Sequence, residues 1–184
     1  KAFAAKLPTT VDLRRAGAAL VFTADDGVTG VEPWASDGTA EGTLRLGDLN
    51  PGATGSAPDE FAVTGDRVHF LATVEGRKEV WATDGTVAGT RRVRAVDPAM
   101  HLMWSPATLG HAFFGATEDG RTKAWLSDGT ATDLPPVRVM TASNGSSSPS
   151  SFVAVGATVY FIPELKGPLL NPIFQTDGTP EETR

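Results

Sequence analysis

The chain has 184 residues, is 40% hydrophobic and 21% charged, and carries a formal net charge of −6 with no cysteine. That balance fits a globular domain with a sizeable core, while an acidic chain whose one basic cluster, Arg91-Arg92-Val93-Arg94, reads as decoration of an exposed strand edge excludes an electrostatic nucleic-acid or anionic-membrane face. Lack of cysteine excludes disulfides, thiolate zinc sites and cysteine nucleophiles, and the longest apolar runs, such as Ala18–Phe22 and Ser151–Val155, fall far short of the ~20 residues of a membrane-spanning helix.

In chain order, KAFAAKLP (1–8) reads as a strand that matches LRLGDLNP (44–51) and RRVRAVDP (91–98). VDLRRAGAALVFTAD (11–25) reads as a hairpin turning at Gly17, followed by a third strand that ends in WASDGTAEGT (34–43). The next unit is the clearest: EFAV (60–63), a turn at Gly65, RVHFLATV (67–74), a turn at EGR, KEVWAT (78–83), the turn DGTVAGT, and RRVRAV (91–96). β-Branched and aromatic residues dominate these segments, as pleated surfaces require. A third unit opens with the shortened ATLGHAFFGAT (107–117) and reaches WLSDGTATDL (125–134). The fourth has the hairpin SFVAVGATVYFIP (151–163), turning at Gly156, and stops at FQTDGTPEET (174–183) after its third strand. No 12-residue stretch carries a helical period. Because the chain begins on Lys1 rather than methionine, an upstream segment such as a signal peptide is expected to precede it.

Two anchors repeat together. Trp34, Trp81, Trp125 and Phe174 are spaced by 47, 44 and 49 residues, and Phe22, Phe70, Phe114 and Phe161 by 48, 44 and 47. One period near 46 therefore spans the whole chain. Four-stranded units of 40 to 50 residues, apolar on both faces, are the pattern of propeller blades. The expectation is an all-β fold: a single β-propeller domain over 1–184, built of four four-stranded antiparallel blades at about 9–50, 51–97, 98–142 and 143–184. The strand 1–8 would supply the missing outer strand of the last blade and close the ring. The alternative is a slice of a larger propeller.

The recurring word has a mechanical reading. An aspartate before glycine forms a turn, its carboxylate accepting from the backbone two residues on while glycine supplies positive φ. Asp37, Asp84, Asp128 and Asp177 are thus expected to cap the turn between third and fourth strands, with Trp34, Trp81, Trp125 and Phe174 wedged between blades. A catalytic group is needed once per site, whereas these aspartates recur once per blade.

The spacing Glu-x-Trp-x-[Ser/Thr]-Asp-Gly-Thr-x-x-Gly-Thr, carried by Glu32-Pro33-Trp34, Glu79-Val80-Trp81 and TADDGVTGVEPWASDGT (23–39), resembles the ELWxxDGT repeat proteins. Lys123-Ala124-Trp125 and Pro172-Ile173-Phe174 depart from the pattern, and the third unit lacks the second Gly-Thr. The resemblance implies a bacterial secreted or cell-surface, propeller-like repeat protein and brings no defined activity with it. A fainter likeness, to the Asp-box turns of sialidases, is again structural.

Chemistry elsewhere is sparse. His69, His101 and His111 occupy different repeat positions without metal-ligand spacing, and His69 reads as a packed strand residue. Asp25-Asp26 and Glu118-Asp119 fall in second-to-third turns and lack the series of oxygen ligands that holds calcium. No cofactor or metal is implied, a calcium ion in the channel or a turn being unsupported. Gly-x-Ser-x-Gly, phosphate-loop and dinucleotide fingerprints are missing.

In a meander, the first-to-second and third-to-fourth turns share one end, and the second-to-third turns and inter-blade crossings the other. The repeated word lies on the first end. Variable loops lie on the second: 50–58, 97–106, 143–149 and 164–172. Variable loops on a rigid frame are where binding residues reside. Two carry apolar residues, Met100, Leu102, Met103 and Trp104 beside His101, and Leu165, Leu169 and Leu170. Exposed, they would form one interaction patch; the competing reading folds Trp104 inward as a channel plug. The reading is a non-enzymatic binding or adhesion module outside the cytoplasm, with a protein or glycan partner, no nucleic acid and no membrane insertion, and self-association as an option. The rivals are a glycan-acting hydrolase with carboxylates at the channel mouth, and a structural repeat of a larger surface protein.

Overall fold

A computed structural model describes residues 12–96, 112–118, 121–127, 129, 147–155, 158–165 and 173–176. Among them the chain is all-β with no helix. Thirteen strands form antiparallel sheets. Sheet one holds β1 (Arg14–Ala16), β2 (Ala19–Asp25), β3 (Val31–Ser36) and β4 (Leu44–Arg45); sheet two holds β5 (Asp59–Thr64), β6 (Arg67–Val74), β7 (Arg77–Thr83) and β8 (Arg91–Ala95). Sheet three pairs β9 (Ala112–Glu118) with β10 (Arg121–Ser127), and sheet four orders β11 (Ser147–Val155), β12 (Thr158–Leu165) and β13 (Phe174–Thr176). Neighbours in sequence are neighbours in each sheet, a meander. Among the described residues the sheets do not close into a ring. The expected closing strand, 1–8, lies outside the described residues.

The two sequence anchors meet. Phe22 stands directly opposite Trp34, Phe70 opposite Trp81, Phe114 opposite Trp125 and Phe161 opposite Phe174. A directly opposed pair shares one face of its sheet, with Cβ atoms about 5 Å apart. The shared period is thus a cross-strand aromatic pair rebuilt in every sheet. In sheet four the rings stack at 5.8 Å and 24°.

Sheet two is covered on both faces. One face presents Phe61, Val68, Phe70 and Ala72 to Ala16, Val21, Ala35 and Leu46 of sheet one, with Trp81 packed against the cluster. Its opposite face gathers Leu71, Val80, Ala82, Val93 and Val96 around Trp125 of sheet three. Strand β1 packs against β5 and β6, β5 against β9, and β10 against β11. Sheets one, two and three therefore bury apolar residues against one another, since an isolated meander could not shield both faces.

Turns follow the glycines: Gly17 (φ +55°) and Gly65 (φ +60°) occupy the left-handed region between first and second strands. Strand β4 is shorter than the match among LRLGDLNP, RRVRAVDP and KAFAAKLP suggests. After Arg45 the chain keeps one further ladder bond, from Leu46 N to Pro33 O at 2.8 Å.

Candidate functional site

At one end of the sheets lies the repeated word. Thr39 donates its backbone N–H (2.9 Å) and its hydroxyl (2.7 Å) to Asp37 Oδ1. Gly42 N donates to Thr39 Oγ1 at 2.9 Å, Thr43 Oγ1 to the Thr39 carbonyl at 2.5 Å, and Ser36 Oγ meets Thr43 Oγ1 at 2.7 Å while accepting from Gly38 N at 3.0 Å. The second copy repeats every bond. Thr86 gives two to Asp84 Oδ1 (3.0 and 2.7 Å), Gly89 N one to Thr86 Oγ1 (2.9 Å), Thr90 one to the Thr86 carbonyl (2.7 Å), and Thr83 Oγ1 joins Thr90 Oγ1 and Gly85 N. In the third, Gly129 N donates to Ser127 Oγ at 3.0 Å. In the two complete copies both glycines of the word are obligatory. Gly38, Gly85 and Gly129 have φ of +95°, +89° and +74°, and a Cβ on Gly42 or Gly89 would lie 2.1 or 2.0 Å from the aspartate Oδ1.

These bonds hold the carboxylates ionised. Two bonds from Thr39 set Asp37 below the usual carboxylate range. At Asp84 burial pushes the other way, but the Thr86 bonds and the Arg67 charge outweigh it.

The word also joins sheets. A Cβ on Gly85 would stand 2.7 Å from Ala19 Cβ and 3.6 Å from Ala16 O of sheet one. A Cβ on Gly129 would stand 2.8 Å from Arg67 Cδ and 3.3 Å from His69 Cε1 of sheet two. Ala19 and Arg67 both lie three residues before their anchor phenylalanine, so the same docking recurs at successive joins. His69, fully buried, completes the second join: Nδ1 meets Thr64 Oγ1 at 2.8 Å and Nε2 meets Ser127 Oγ at 3.2 Å. Arg94 crosses the same join with its guanidinium carbon 3.5 Å from the centre of the Trp125 ring. The basic tetrad is therefore not mere decoration of an exposed strand edge: Arg94 covers Trp125 and Arg92 pairs with Glu79 at 3.4 Å.

The opposite end carries the second-to-third turns and the crossing 50–57. Sequence reasoning missed how this crossing is held. Glu32, buried on β3, accepts from Asn50 N (3.2 Å) and Ser56 N (3.1 Å) at Oε1 and from Ser56 Oγ (2.5 Å) at Oε2. Burial raises its pKa despite these bonds. The Asn50 side chain donates to Gly55 O (2.9 Å) and accepts from Glu75 N (3.0 Å). Gly30 and Gly55 let the crossing lie on β3, since a Cβ on either would come within 2.5 Å of facing backbone. Pro51, Gly52, Ala53 and Thr54 remain exposed at its tip. The only sequence signal was the glutamate of the Glu-x-Trp pattern.

Asp26 Oδ1 accepts from Val28 N, Thr29 N and Thr29 Oγ1, and its carboxylate faces Arg45 at 3.3 Å, so the acidic turn is internally satisfied. The backbone bonds from Thr29 and Val28 set its pKa below the ordinary value. Among the described residues no group of three or more acidic or histidine side chains is placed to hold a metal, and no helix is long and apolar enough to cross a membrane.

Of the expected patch, Leu165 is the last residue of β12, paired with Ser147, rather than part of a loop. Met100, His101, Leu102, Met103, Trp104, Leu169 and Leu170 lie outside the described residues, as do His111, Asp119, Asp128 and Asp177. Trp34, Asp37, Trp81, Asp84, Trp125 and Phe174 are described, with Trp34 Nε1 donating to Ala24 O at 3.1 Å and Trp81 Nε1 to Glu79 Oε2 at 3.1 Å.

No protein-family model matches the chain, and no curated protein matches it significantly. Solved structures share its fold. A prolyl endopeptidase, from a structural and mechanistic analysis of two such enzymes, is similar over 95% of this chain and 25% of its own, with a TM-score of 0.54 and 14% identity. An uncharacterized protein of Listeria monocytogenes is similar over 100% of this chain and 56% of its own, with a TM-score of 0.50 and 12% identity. The chain thus spans about a quarter and about half of these neighbours, and at such identities the likeness is one of fold alone.

Proposed function

We propose that the four sheets are blades of a β-propeller of the ELWxxDGT-like kind, and that the chain is a binding or adhesion module working outside the cytoplasm of a bacterium. One observation carries the reading: the two described aspartates of the repeated word, Asp37 and Asp84, are consumed by their own turns. In the two complete copies, Asp37 and Asp84 accept the hydrogen bonds of Thr39 and Thr86, and the glycines of the second and third words dock on the preceding sheet. A carboxylate held ionised by its own loop is a poor general acid or base near neutral pH. Function is left to the opposite end, where the crossing 50–57 sits on a fixed frame, and the proposed working surface adds Met100–Trp104 and Leu169–Leu170. The partner is a protein or glycan surface. The prolyl endopeptidase neighbour lends its fold to this reading and none of its activity.

Alanine at Met103 and Trp104 tests it, with binding to immobilised glycans and bacterial surface proteins measured beside the circular-dichroism spectrum. Lost binding with the spectrum retained supports the module. Turnover of a glycan that survives both substitutions overturns it in favour of a hydrolase.

A further inference from the structure

A step from aspartate to glycine is chemically fragile, because the glycine nitrogen, unshielded by a neighbouring side chain, attacks the aspartate carboxyl carbon. The attack makes a new N–Cγ bond and closes a cyclic imide, the amide proton and the carboxyl hydroxyl leaving together as water. Water then reopens the ring at either carbonyl. Opening at the backbone carbonyl leaves the chain running through the side chain as isoaspartate, a methylene longer than before. This chain contains six such steps, at Asp26, Asp37, Asp84, Asp119, Asp128 and Asp177. The residue before each, Asp25, Ser36, Thr83, Glu118, Ser127 and Thr176, carries a side-chain oxygen.

Among the described turns that oxygen holds the attacking nitrogen. Gly38 N donates to Ser36 Oγ, Gly85 N to Thr83 Oγ1 and Gly129 N to Ser127 Oγ, each at 3.0 Å. The turn at Asp26, outside the repeated word, does the same, with Gly27 N donating to Asp25 Oδ1 at 2.7 Å. The carboxyl group is held as well. Thr39, Thr86 and Thr29 each bind one carboxylate oxygen through both N–H and hydroxyl, on Asp37, Asp84 and Asp26. A Cβ built on Gly42 or Gly89 would lie 2.2 Å from Cγ of Asp37 or Asp84, so loop backbone covers the carbon under attack. All three carboxyls titrate below the ordinary value, and an ionised carboxylate has no hydroxyl to lose as water.

We propose that the hydroxyls of the repeated word guard its Asp-Gly step against isomerisation. The residue before the aspartate fastens the nitrogen, and the threonine two places after it fastens the carboxyl group. Attack needs the nitrogen to turn toward Cγ, and both partners must leave their hydrogen bonds first. The turn at Asp26 reaches the same arrangement with different residues, so the guard follows the Asp-Gly step rather than the repeat. Failure would be costly to the fold. Isoaspartate lengthens the backbone inside a turn whose glycine docks on the preceding sheet, as Gly85 docks on Ala19, and one chemical event would open a join.

The test is isoaspartate content, read residue by residue by mass spectrometry, in the 184-residue chain after long incubation at neutral pH. Asp37 and Asp84 are expected to isomerise far more slowly in the folded chain than in urea. Ser36→Ala is expected to raise the rate at Asp37 about fivefold, the weight of one turn hydrogen bond, and to leave Asp84 unchanged. Thr83→Ala does the reverse, and Asp25→Ala acts on Asp26 alone. Ser36→Thr keeps the acceptor and isomerises like the wild type. Thr39→Ala frees the carboxyl group instead and gives the same rise confined to Asp37, which keeps the test open if Ser36→Ala loses its β spectrum. Rates that rise together at every site in folded variants would mean general loosening and overturn the proposal. Wild-type rates in both Ser36→Ala and Thr39→Ala, or a folded wild type as quick as the unfolded chain, overturn it too.

Discussion

The imidazole of His69 and the hydroxyl of Ser127, 58 residues apart in the chain, share a 3.2 Å hydrogen bond at the join between the second and third sheets. Ser127 is also the residue that accepts from Gly129 N, so one hydroxyl orders the turn and ties it to the neighbouring sheet. His69→Ala leaves two buried hydroxyls without this partner and opens a cavity. Its expected cost is about 2–4 kcal/mol in urea unfolding. Ser127→Ala costs less, and the pair is non-additive by ~1 kcal/mol because the two residues share the bond. Strict additivity would place the bond outside the folding energetics.

The first two words separate turn formation from docking. Gly38→Ala and Gly85→Ala force the same strained φ, yet only the second drives a Cβ against Ala19. Left-handed backbone costs a non-glycine residue ~1–2 kcal/mol, and overpacking adds ~1–3 kcal/mol. Gly85→Ala is therefore expected to lower the denaturation midpoint clearly more than Gly38→Ala, and equal losses would contradict docking at that join.

Acid sensitivity has a defined sign. The carboxyls of Asp37 and Asp84 titrate below their ordinary value of 3.8 in the folded chain. Their stabilisation is present above that value and is lost as pH falls through the depressed folded value. Asp37→Asn with Asp84→Asn should flatten the acid limb of a stability profile below about pH 4, followed by tryptophan fluorescence. An acid limb unchanged by both substitutions would show that these turns contribute nothing to it.

Glu32 runs the opposite way. Burial lifts its pKa above the ordinary 4.5, so its contribution is full below that value and declines as pH rises through the raised one. Glu32→Gln removes this decline. Glu32→Ala releases the crossing, and amide exchange at Ser56, whose N–H is given to the carboxylate at 3.1 Å, should accelerate more than tenfold while that of Val68 stays slow. Unchanged protection at Ser56 would mean the loop is held by Asn50 and the backbone alone.

Arg94 over Trp125 predicts a modest electrostatic term. Arg94→Ala should cost ~0.5–2 kcal/mol, against ~3–5 kcal/mol for Trp125→Ala, which empties the cluster of Leu71, Val80 and Val96. Equal losses would assign Arg94 a packing role instead.

The repeat was legible because its cause is local. Phe and Trp anchors twelve or so residues apart are the two sides of one hairpin, and the Asp-Gly-Thr turn closes on residues within four positions of itself. The strands of sheet two fall within a residue or so of EFAV, RVHFLATV, KEVWAT and RRVRAV. What crosses from unit to unit was not legible. His69 gave only a packed position, and its bond to Ser127 depends on how two sheets stack. Glu32 matched a motif, but its partners Asn50 and Ser56 lie 18 and 24 residues away on a crossing that read as a freely variable loop. Arg94 read as surface charge because nothing in RRVRAV tells which arginine faces a tryptophan of the next unit.

The most direct measurement of the central claim, that the recurring words dock the second and third sheets on their predecessors, is a nuclear Overhauser spectrum of the folded chain. Contacts between Gly129 Hα and the His69 Cε1 proton, and between Gly85 Hα and the Ala19 methyl, are predicted at both joins. A folded β protein showing neither contact would contradict the account.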